Sequence, residues 1–477
     1  MPSRLLKSGL LRPLGAAAAA IALVAGGSVA GSAARLQPCA STEYTASIGD
    51  PATKGPASKS SPPDRLTIVL VGDAGFNPNG AAVDPKGFSK NGKTMGFKES
   101  LSGVAGDVDG DFAFINLETV ITDRNDLQAD SKGQKAPYNF KSHPQGLKTL
   151  IDTGFNLFSL ANNHSMDYGA NGAEETLYHM ALAAAERAIA FAGIGANYEE
   201  ATRPGCLELE GTKIAFGATG IITGQRPEHR AGQNKPGQAG YRNEKDFQLV
   251  VNRLAELPAD YRILSIHYGL EGRVVPDQRQ LKDWRGFAAR QKGIDLIVGH
   301  HPHVAQGVER AGNALIFYGL GNFLHPGTAE MKRFGICRDY GLMAKVHLAK
   351  LDGDWKVEAV EAIPLTQTQM RPERFPVQQS VTRIYALNYL GAQLGDGTTS
   401  QGLRFTPRKD GSGLYCAAGA QSLGGKLGAL CAAWQPAPAI PNTLSRQLAS
   451  ACADKPFYGA AKKKRRKTNS FFGFGPR

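Results

Sequence analysis

Short aliphatic runs that end in polar side chains are the feature of this sequence that most constrains its fold. The clearest run, residues 296–298, is followed by His300, His301 and His303. Such a run is typical of a buried strand, and Pro302 prevents a helix directly after it. Ligands of open α/β sheets bind where the carboxyl ends of the strands meet. Because imidazole is a common metal ligand, the sequence predicts an α/β fold with a metal site at this edge.

Four earlier aliphatic runs end in the same manner, at residues 67–71, 111–117, 155–160 and 262–267. The polar residues at their ends are, in chain order, Asp73, Asn116, Glu118, Asn162, Asn163, His164 and His267. Carboxylate, amide and imidazole donors together suit Mn, Fe, Zn or Mg better than a thiolate-seeking metal. The sequence leaves open whether one or two divalent ions bind. Each residue taken alone also fits a structural role, such as an Asx turn or a helix cap.

Other segments predict the remaining framework. Residues 213–219 and 314–318 are strand predictions, and residues 172–192 are a helix prediction. Residues 343–351 and 355–363 predict an antiparallel hairpin around Asp352 and Gly353. Residues 77–100 are rich in glycine and lysine and predict a loop.

The N-terminus is typical of a secretory signal peptide, which we place at residues 1–33. Arg4, Lys7 and Arg12 precede an apolar core at residues 14–25 that is short for a membrane-spanning helix. An uncleaved membrane anchor is the alternative. Residues 34–64, rich in Ser, Pro, Ala and Gly, predict a linker. We therefore expect an exported protein of the periplasm or cell envelope.

The six cysteines fit this location, because disulfides persist in oxidising compartments. None lies in a CxxC pattern, so a thiolate metal site is not expected. We expect disulfides above all among Cys416, Cys431 and Cys452. The sequence does not choose among the pairings that six cysteines allow.

The formal net charge of +13 is concentrated at the C-terminus, where residues 462–477 contain seven Lys and Arg and no acidic residue. Residues 456–477 predict a basic, disordered tail that contacts an anionic polymer or a membrane surface. The folded part does not interleave basic and aromatic residues, so we do not expect nucleic acid as a partner.

Six short motifs occur in a fixed order, at residues 72–73, 116–118, 161–169, 267–271, 299–306 and 319–323. This ordered set resembles the CapA family of capsule synthesis proteins, a branch of the calcineurin-like metallophosphoesterases. The resemblance implies a four-layer α/β/β/α sandwich over residues 65–365. Residues 366–455 would form a less regular C-terminal extension.

The resemblance also implies roles for the strand-end residues. His164 would be catalytic, and the metal ligands would be Asp73, Glu118, Asn163, His267, His301 and His303. We assign substrate contacts to Asn116, Asn162, His300, Glu271 and Asn322. Which of the neighbouring histidines 300 and 301 points inward is left open.

Two departures bear on activity. Ala74 and Gly75 follow Asp73 where the superfamily has Asp-x-His, and the triplet 116–118 replaces the aspartate of the second motif. The resemblance implies a protein of poly-γ-glutamate synthesis or export with a metal-dependent hydrolase-type site. The alternative is a non-catalytic envelope protein that binds an anionic polymer such as poly-γ-glutamate.

Overall fold

The computed structural model describes residues 64–222, 226–290, 293–328 and 331–454. The expected signal peptide, linker and basic tail lie outside these residues, apart from Asp64. Within the described ranges, no helix combines the length and the apolar composition needed to cross a bilayer.

Strands make up most of the regular structure. Those of the first half of the chain are β1 (Arg65–Ala74), β2 (Gly87–Lys90), β3 (Lys93–Gly96), β4 (Phe112–Leu117), β5 (Val120–Ile121), β6 (Lys141–Ser142), β7 (Leu157–Ser159), β8 (Ala190–Ala192), β9 (Ile194–Gly195), β10 (Gly205–Leu209), β11 (Thr212–Gly220) and β12 (Gly237–Gln238). Those of the second half are β13 (Tyr261–His267), β14 (Leu296–His300), β15 (Val308–Ala311), β16 (Ala314–Phe317), β17 (Asn322–Leu324), β18 (Gly341–Leu351), β19 (Asp354–Thr366), β20 (Glu373–Arg374), β21 (Ser400–Gly402), β22 (Thr406–Pro407) and β23 (Gly413–Cys416).

The α-helices lie between and after these strands. They are α1 (Phe97–Leu101), α2 (Pro144–Thr153), α3 (Gly169–Glu186), α4 (Tyr198–Ala201), α5 (Glu244–Glu256), α6 (Gln278–Arg290), α7 (Val377–Gly391), α8 (Gly425–Cys431) and α9 (Asn442–Ala451).

Two large sheets form the centre of the fold. The first has the strand order β22-β23-β19-β18-β1-β4-β7-β8, with β17 beside β1 and β20 beside β19. The second has the order β10-β11-β13-β14-β16-β15-β21. The aliphatic runs pair in parallel, β1 with β4 and β4 with β7 in one sheet, and β13 with β14 in the other. Their carboxyl ends therefore lie at a common edge of each sheet.

The two sheets pack face to face through an apolar layer. Phe114 of the first sheet contacts Phe216 of the second edge-on, with 6.1 Å between the ring centroids. Helices α2 and α3 cover the outer face of the first sheet, where Leu150 and Met180 are buried. Helices α5 and α6 cover the second sheet, and Trp284 of α6 is fully buried there. The expected four-layer α/β/β/α sandwich is confirmed.

The described residues after 365 are less regular but belong to both sheets. Strands β22 and β23 extend the first sheet, and β21 adds to the edge of the second. Disulfides join Cys416 to Cys431 and Cys337 to Cys452. The expectation of disulfides is confirmed, and Cys452 pairs outside the C-terminal group of three.

The hairpin prediction is confirmed, since β18 and β19 pair along their lengths around Asp352 and Gly353. The loop prediction for residues 77–100 was wrong in part. This segment contains the β2–β3 hairpin and helix α1, which pack by Phe88 and Phe97 on Phe76. A few buried aromatic side chains thus order a segment whose composition indicates only turns.

Candidate metal centre

The strand ends that carry polar residues converge at one edge of the sandwich. Asp73 lies directly opposite Asn116 in the β1–β4 pair and opposite Asn322 in the β1–β17 pair. In the second sheet, His267 lies opposite His300. Because the two sheets face each other, both sets of side chains enter the same buried space.

The loop after β14 has an unusual backbone. His301 and His303 have φ angles of 93° and 58°, a region that residues with a Cβ rarely adopt. Such strain is retained only where the surroundings enforce it, and it is common at functional sites. In this conformation both histidines have a ring nitrogen within 4.8 Å of a Glu118 oxygen.

Asp73 is fully buried among polar partners. Its Oδ1 accepts a hydrogen bond from Asn116 Nδ2 at 2.9 Å and lies 3.3 Å from His300 Nδ1. Its Oδ2 lies 3.2 Å from His303 Nδ1. Burial and Glu118 raise the pKa of the Asp73 carboxyl, but the adjacent imidazoles of His300 and His303 hold that pKa below its ordinary value. Asp73 is therefore an anion at neutral pH.

Glu118 is also fully buried, and neither carboxylate oxygen has a hydrogen-bond partner. Its Oε1 lies 3.4 Å from His267 Nε2, and its Oε2 lies 3.4 Å from His325 Nε2 and 3.8 Å from His303 Nδ1. Burial raises the pKa of Glu118, yet His303 and His267 hold that pKa well below its ordinary value. A buried carboxylate that lacks hydrogen bonds is costly, so a cation is the expected partner.

The amide side chains hold the imidazoles in place. His267 Nε2 lies 2.6 Å from Asn163 Oδ1, and His267 Nδ1 lies 3.2 Å from Asn116 Nδ2. His303 Nδ1 lies 2.9 Å from Asn322 Oδ1. Asn163 and His267 thus reach the space beside Glu118 from opposite sheets.

A divalent ion fits this group of donors. Ligand atoms of Glu118, His301 and His303 all lie within 4.8 Å of one another, and His301 Nδ1 is buried without a hydrogen-bond partner. Burial lowers the pKa of His303 while Glu118 and Asp73 raise it, to about 10 overall. The proton on His303 therefore supplies a positive charge that a bound ion would replace, since metal binding releases protons from its ligands.

The sequence analysis missed Lys132 and gave no role to Asp167, although Asp167 lies in the motif at residues 161–169. Asp167 Oδ2 lies 2.7 Å from His164 Nδ1, and Asp167 Oδ1 pairs with the ammonium group of Lys132. Lys132 lies on a loop with no strand or helix pattern, so no local feature indicates it. Burial lowers the pKa of His164, Asp167 raises it and Lys132 lowers it, with a net value below the ordinary one. A neutral His164 that donates from Nδ1 to Asp167 presents Nε2 as a proton acceptor.

His325 is another residue that sequence reasoning missed. It follows β17, it is 1% exposed, and neither ring nitrogen has a hydrogen-bond partner. Its ring lies edge-on to Phe140, with 5.0 Å between centroids. His325 places an imidazole beside Glu118 Oε2. The chain therefore has an additional imidazole at the centre, although it lacks the Asp-x-His motif of the superfamily. The short strand before it could have drawn attention to this position.

A cavity of about 610 Å³ opens from this centre to solvent. Asn163, His164, His301 and His303 form part of its wall, together with Glu271. The other four residues that we assigned to substrate contact are buried and do not line the cavity. They are Asn116, Asn162, His300 and Asn322. His300 stacks on Phe114 at 5.7 Å and points between the sheets, whereas His301 faces the cavity.

The cavity wall is basic at its outer part. Arg242 and Arg333 line it there, and both are exposed, whereas Lys132, which also lines the cavity, is buried and paired with Asp167. Their guanidinium groups lie over the rings of Tyr268 and Phe334, at 5.4 and 4.7 Å from the centroids. Stacking of this kind leaves the N–H groups at the edge of the guanidinium plane free to bind carboxylates.

Comparison with known proteins places this arrangement in a family. Residues 67–326, more than half of the chain, match the family described as Bacterial capsule synthesis protein PGA_cap. The chain belongs to this family. The PGA_cap match includes every residue of the centre, from Asp73 to His325, and ends before the C-terminal extension.

Curated relatives share part of their length with the chain. It is 30% identical over 218 residues to the PGA biosynthesis protein CapA of Bacillus subtilis, covering 45% of this chain and 53% of that protein. It is 31% identical over 205 residues to the capsule biosynthesis protein CapA of Bacillus anthracis, covering 42% and 47%. A probable polyglutamine synthesis accessory protein of Mycobacterium tuberculosis is 28% identical over 221 residues, covering 44% and 55%. The chain spans about half the length of these relatives.

Among solved structures, the calcineurin-like phosphoesterase YfkN of Bacillus subtilis aligns with 14% identity and a TM-score of 0.35. The alignment covers 68% of this chain and 96% of that one. At this TM-score the likeness supports no argument about activity.

Proposed function

We propose that this protein is an exported accessory factor of poly-γ-glutamate capsule synthesis whose metal centre hydrolyses an amide or ester bond in an anionic polymer. The observation that carries the proposal is the buried Glu118 carboxylate, which has no hydrogen bond and lies among imidazoles at the base of a basic cavity. Family membership supports a role in capsule synthesis.

The chemistry follows from the positions of the side chains. Asp73, Glu118, Asn163, His267, His301 and His303 would hold the ion, with His325 as a further donor. A bound divalent ion supplies a Lewis acid and lowers the pKa of a coordinated water.

Side chains around the ion would exchange the proton and bind the polymer. Asp167 fixes the orientation of His164, so that His164 Nε2 faces Glu118 Oε1 at 3.9 Å and can exchange a proton with a reacting group at the cavity base. Arg242 and Arg333 would bind carboxylates of the polymer at the cavity mouth, where long anionic chains have access.

A cleavage assay tests the proposal. Purified protein is incubated with poly-γ-glutamate and Mn²⁺ or Zn²⁺, and polymer length is followed by size-exclusion chromatography. We expect His164→Ala to slow cleavage by about 10²–10⁴-fold, the usual contribution of acid–base catalysis, without loss of polymer binding.

A binding assay separates recognition from catalysis. Replacing both Arg242 and Arg333 by alanine should weaken polymer binding at low salt, whereas Arg404→Ala, an exposed arginine outside the cavity, should leave binding unchanged. Binding without cleavage under any tested metal would refute the hydrolase and favour a non-catalytic polymer-binding protein, which the two arginines also fit. Absence of both activities would refute the proposed substrate class.

A further inference from the structure

A second group of metal-binding side chains lies away from the centre, where the segment after β5 contacts helix α3. Asp123 follows β5 by two residues. Glu175 and His179 lie one turn apart on α3, a spacing that places both on the same face of a helix. One ligand atom from each of the three residues lies within 4.8 Å of the others.

The two segments that carry these residues are fixed to each other by hydrogen bonds. Thr122 Oγ1 donates to Glu175 Oε2 at 2.9 Å. The backbone N–H of Ile121 donates to Thr176 Oγ1 at 3.0 Å. The relative position of Asp123 and the helix is therefore set before any ligand binds, which reduces the entropy cost of binding.

His179 gives the independent indication that a ligand belongs here. Its side chain is only 10% exposed, and its Nε2 is buried without a hydrogen-bond partner. The nearest carboxylate oxygen, Glu175 Oε2, is 3.8 Å away, too far for a hydrogen bond. Buried polar atoms are almost always satisfied, so an unsatisfied imidazole nitrogen facing a carboxylate requires an additional partner.

The basic neighbour Arg124 does not fill this role. Its guanidinium lies 3.6 Å from Glu175 Oε1, but its Nε and Nη2 donate to the two oxygens of Asp126 at 3.0 and 2.9 Å. One arginine is thus shared between Asp126 and Glu175. Asp123 is exposed at the opening of the group, and the His179 nitrogen faces the carboxylate of Glu175 rather than the arginine.

We propose that Asp123, Glu175 and His179 bind a divalent transition-metal ion, separate from the centre at Glu118. Two carboxylates and one imidazole suit Mn, Fe, Co or Zn. The ion would join the segment that follows Glu118 to the helix that follows the His164–Asp167 loop. It would thereby connect two segments that each follow a part of the centre at Glu118.

Zinc content after equilibrium dialysis of the full chain against ZnCl2 tests this proposal. The proteins compared are the wild type, Glu175→Gln, His179→Ala and Glu174→Gln. Glu175→Gln keeps the shape of the side chain and an oxygen that accepts from Thr122. Glu174→Gln makes the same chemical change at the adjacent, exposed helix position and serves as the matched control.

We expect the wild type and Glu174→Gln to bind one zinc equivalent more than Glu175→Gln and His179→Ala. In Glu175→Gln and His179→Ala, the affinity for this zinc ion should fall by more than ~10-fold, because loss of a residue that only hydrogen-bonds to a metal ligand already costs about that much. Equal zinc content in all four proteins would overturn the proposal, as would an equal loss in Glu174→Gln. Because the comparison is between variants that all retain the Glu118 centre, its outcome does not depend on the proposed hydrolase activity.

Discussion

Replacement of Lys132 by methionine is the perturbation whose effect on stability follows most directly from the structure. The ammonium group of Lys132 pairs with Asp167, and the two side chains are 3% and 0% exposed. Methionine keeps an unbranched side chain as far as Cε but lacks the charged ammonium group. Asp167 then loses its ion-pair partner and keeps the backbone N–H of Phe140 and the His164 ring as hydrogen-bond partners.

The burial of the pair sets limits on how much free energy of unfolding Lys132→Met should lose. Removing one partner of a buried ion pair costs about 3–5 kcal/mol, because the other charge is left uncompensated. Since Asp167 keeps two hydrogen-bond partners, we expect a loss near ~3 kcal/mol. In the double variant Lys132→Met with Asp167→Asn no charge is left unpaired, so it should be more stable than Lys132→Met alone.

Urea denaturation of the four proteins of this double-mutant cycle measures the free energy of unfolding. The matched control is Lys148→Met, which breaks the solvent-exposed pair of Lys148 and Asp152 on α2 and should cost no more than ~0.5 kcal/mol. If Lys132→Met costs no more than Lys148→Met, or if the effects of the two single substitutions simply add, the buried pair does not contribute as argued.

Two further substitutions test other parts of the structure. His325→Ala should weaken Mn²⁺ binding at the centre by at least ~10-fold in calorimetric titration, because it removes an imidazole 3.4 Å from Glu118. His347→Ala, which loses contacts with Glu361 and Thr67 outside the centre, is the control, and equal affinities would contradict the role of His325. Gly72→Ala should lower the free energy of unfolding by ~3 kcal/mol or more in the same urea assay, since its Cβ would lie 1.8 Å from the Gly321 carbonyl oxygen. Gly106→Ala, where a Cβ meets nothing within 4 Å, should be close to neutral, and a similar small effect at Gly72 would show that the backbone can relax.

Much of the fold could be predicted because the signals for it are local. The runs at β1, β4, β7, β13 and β14 are mostly apolar and buried, since strands buried on both faces need no polar alternation. Residues 77–100 were misjudged because their order comes from Phe76, Phe88 and Phe97, which are scattered along the chain and meet only after folding.

The sequence by itself determined that polar residues terminate parallel strands, and hence that Asp73, Glu118, His267 and the histidines after β14 lie at a common edge. Only the tertiary structure decided which neighbours those residues have. It directs His300 between the sheets and His301 into the cavity, and it adds Lys132 and His325 from loops. The physical reason is the sequence distance over which the interactions act. Strand formation depends on the composition of neighbouring residues, whereas the partners of a buried charge are set by the packing of segments far apart in the chain.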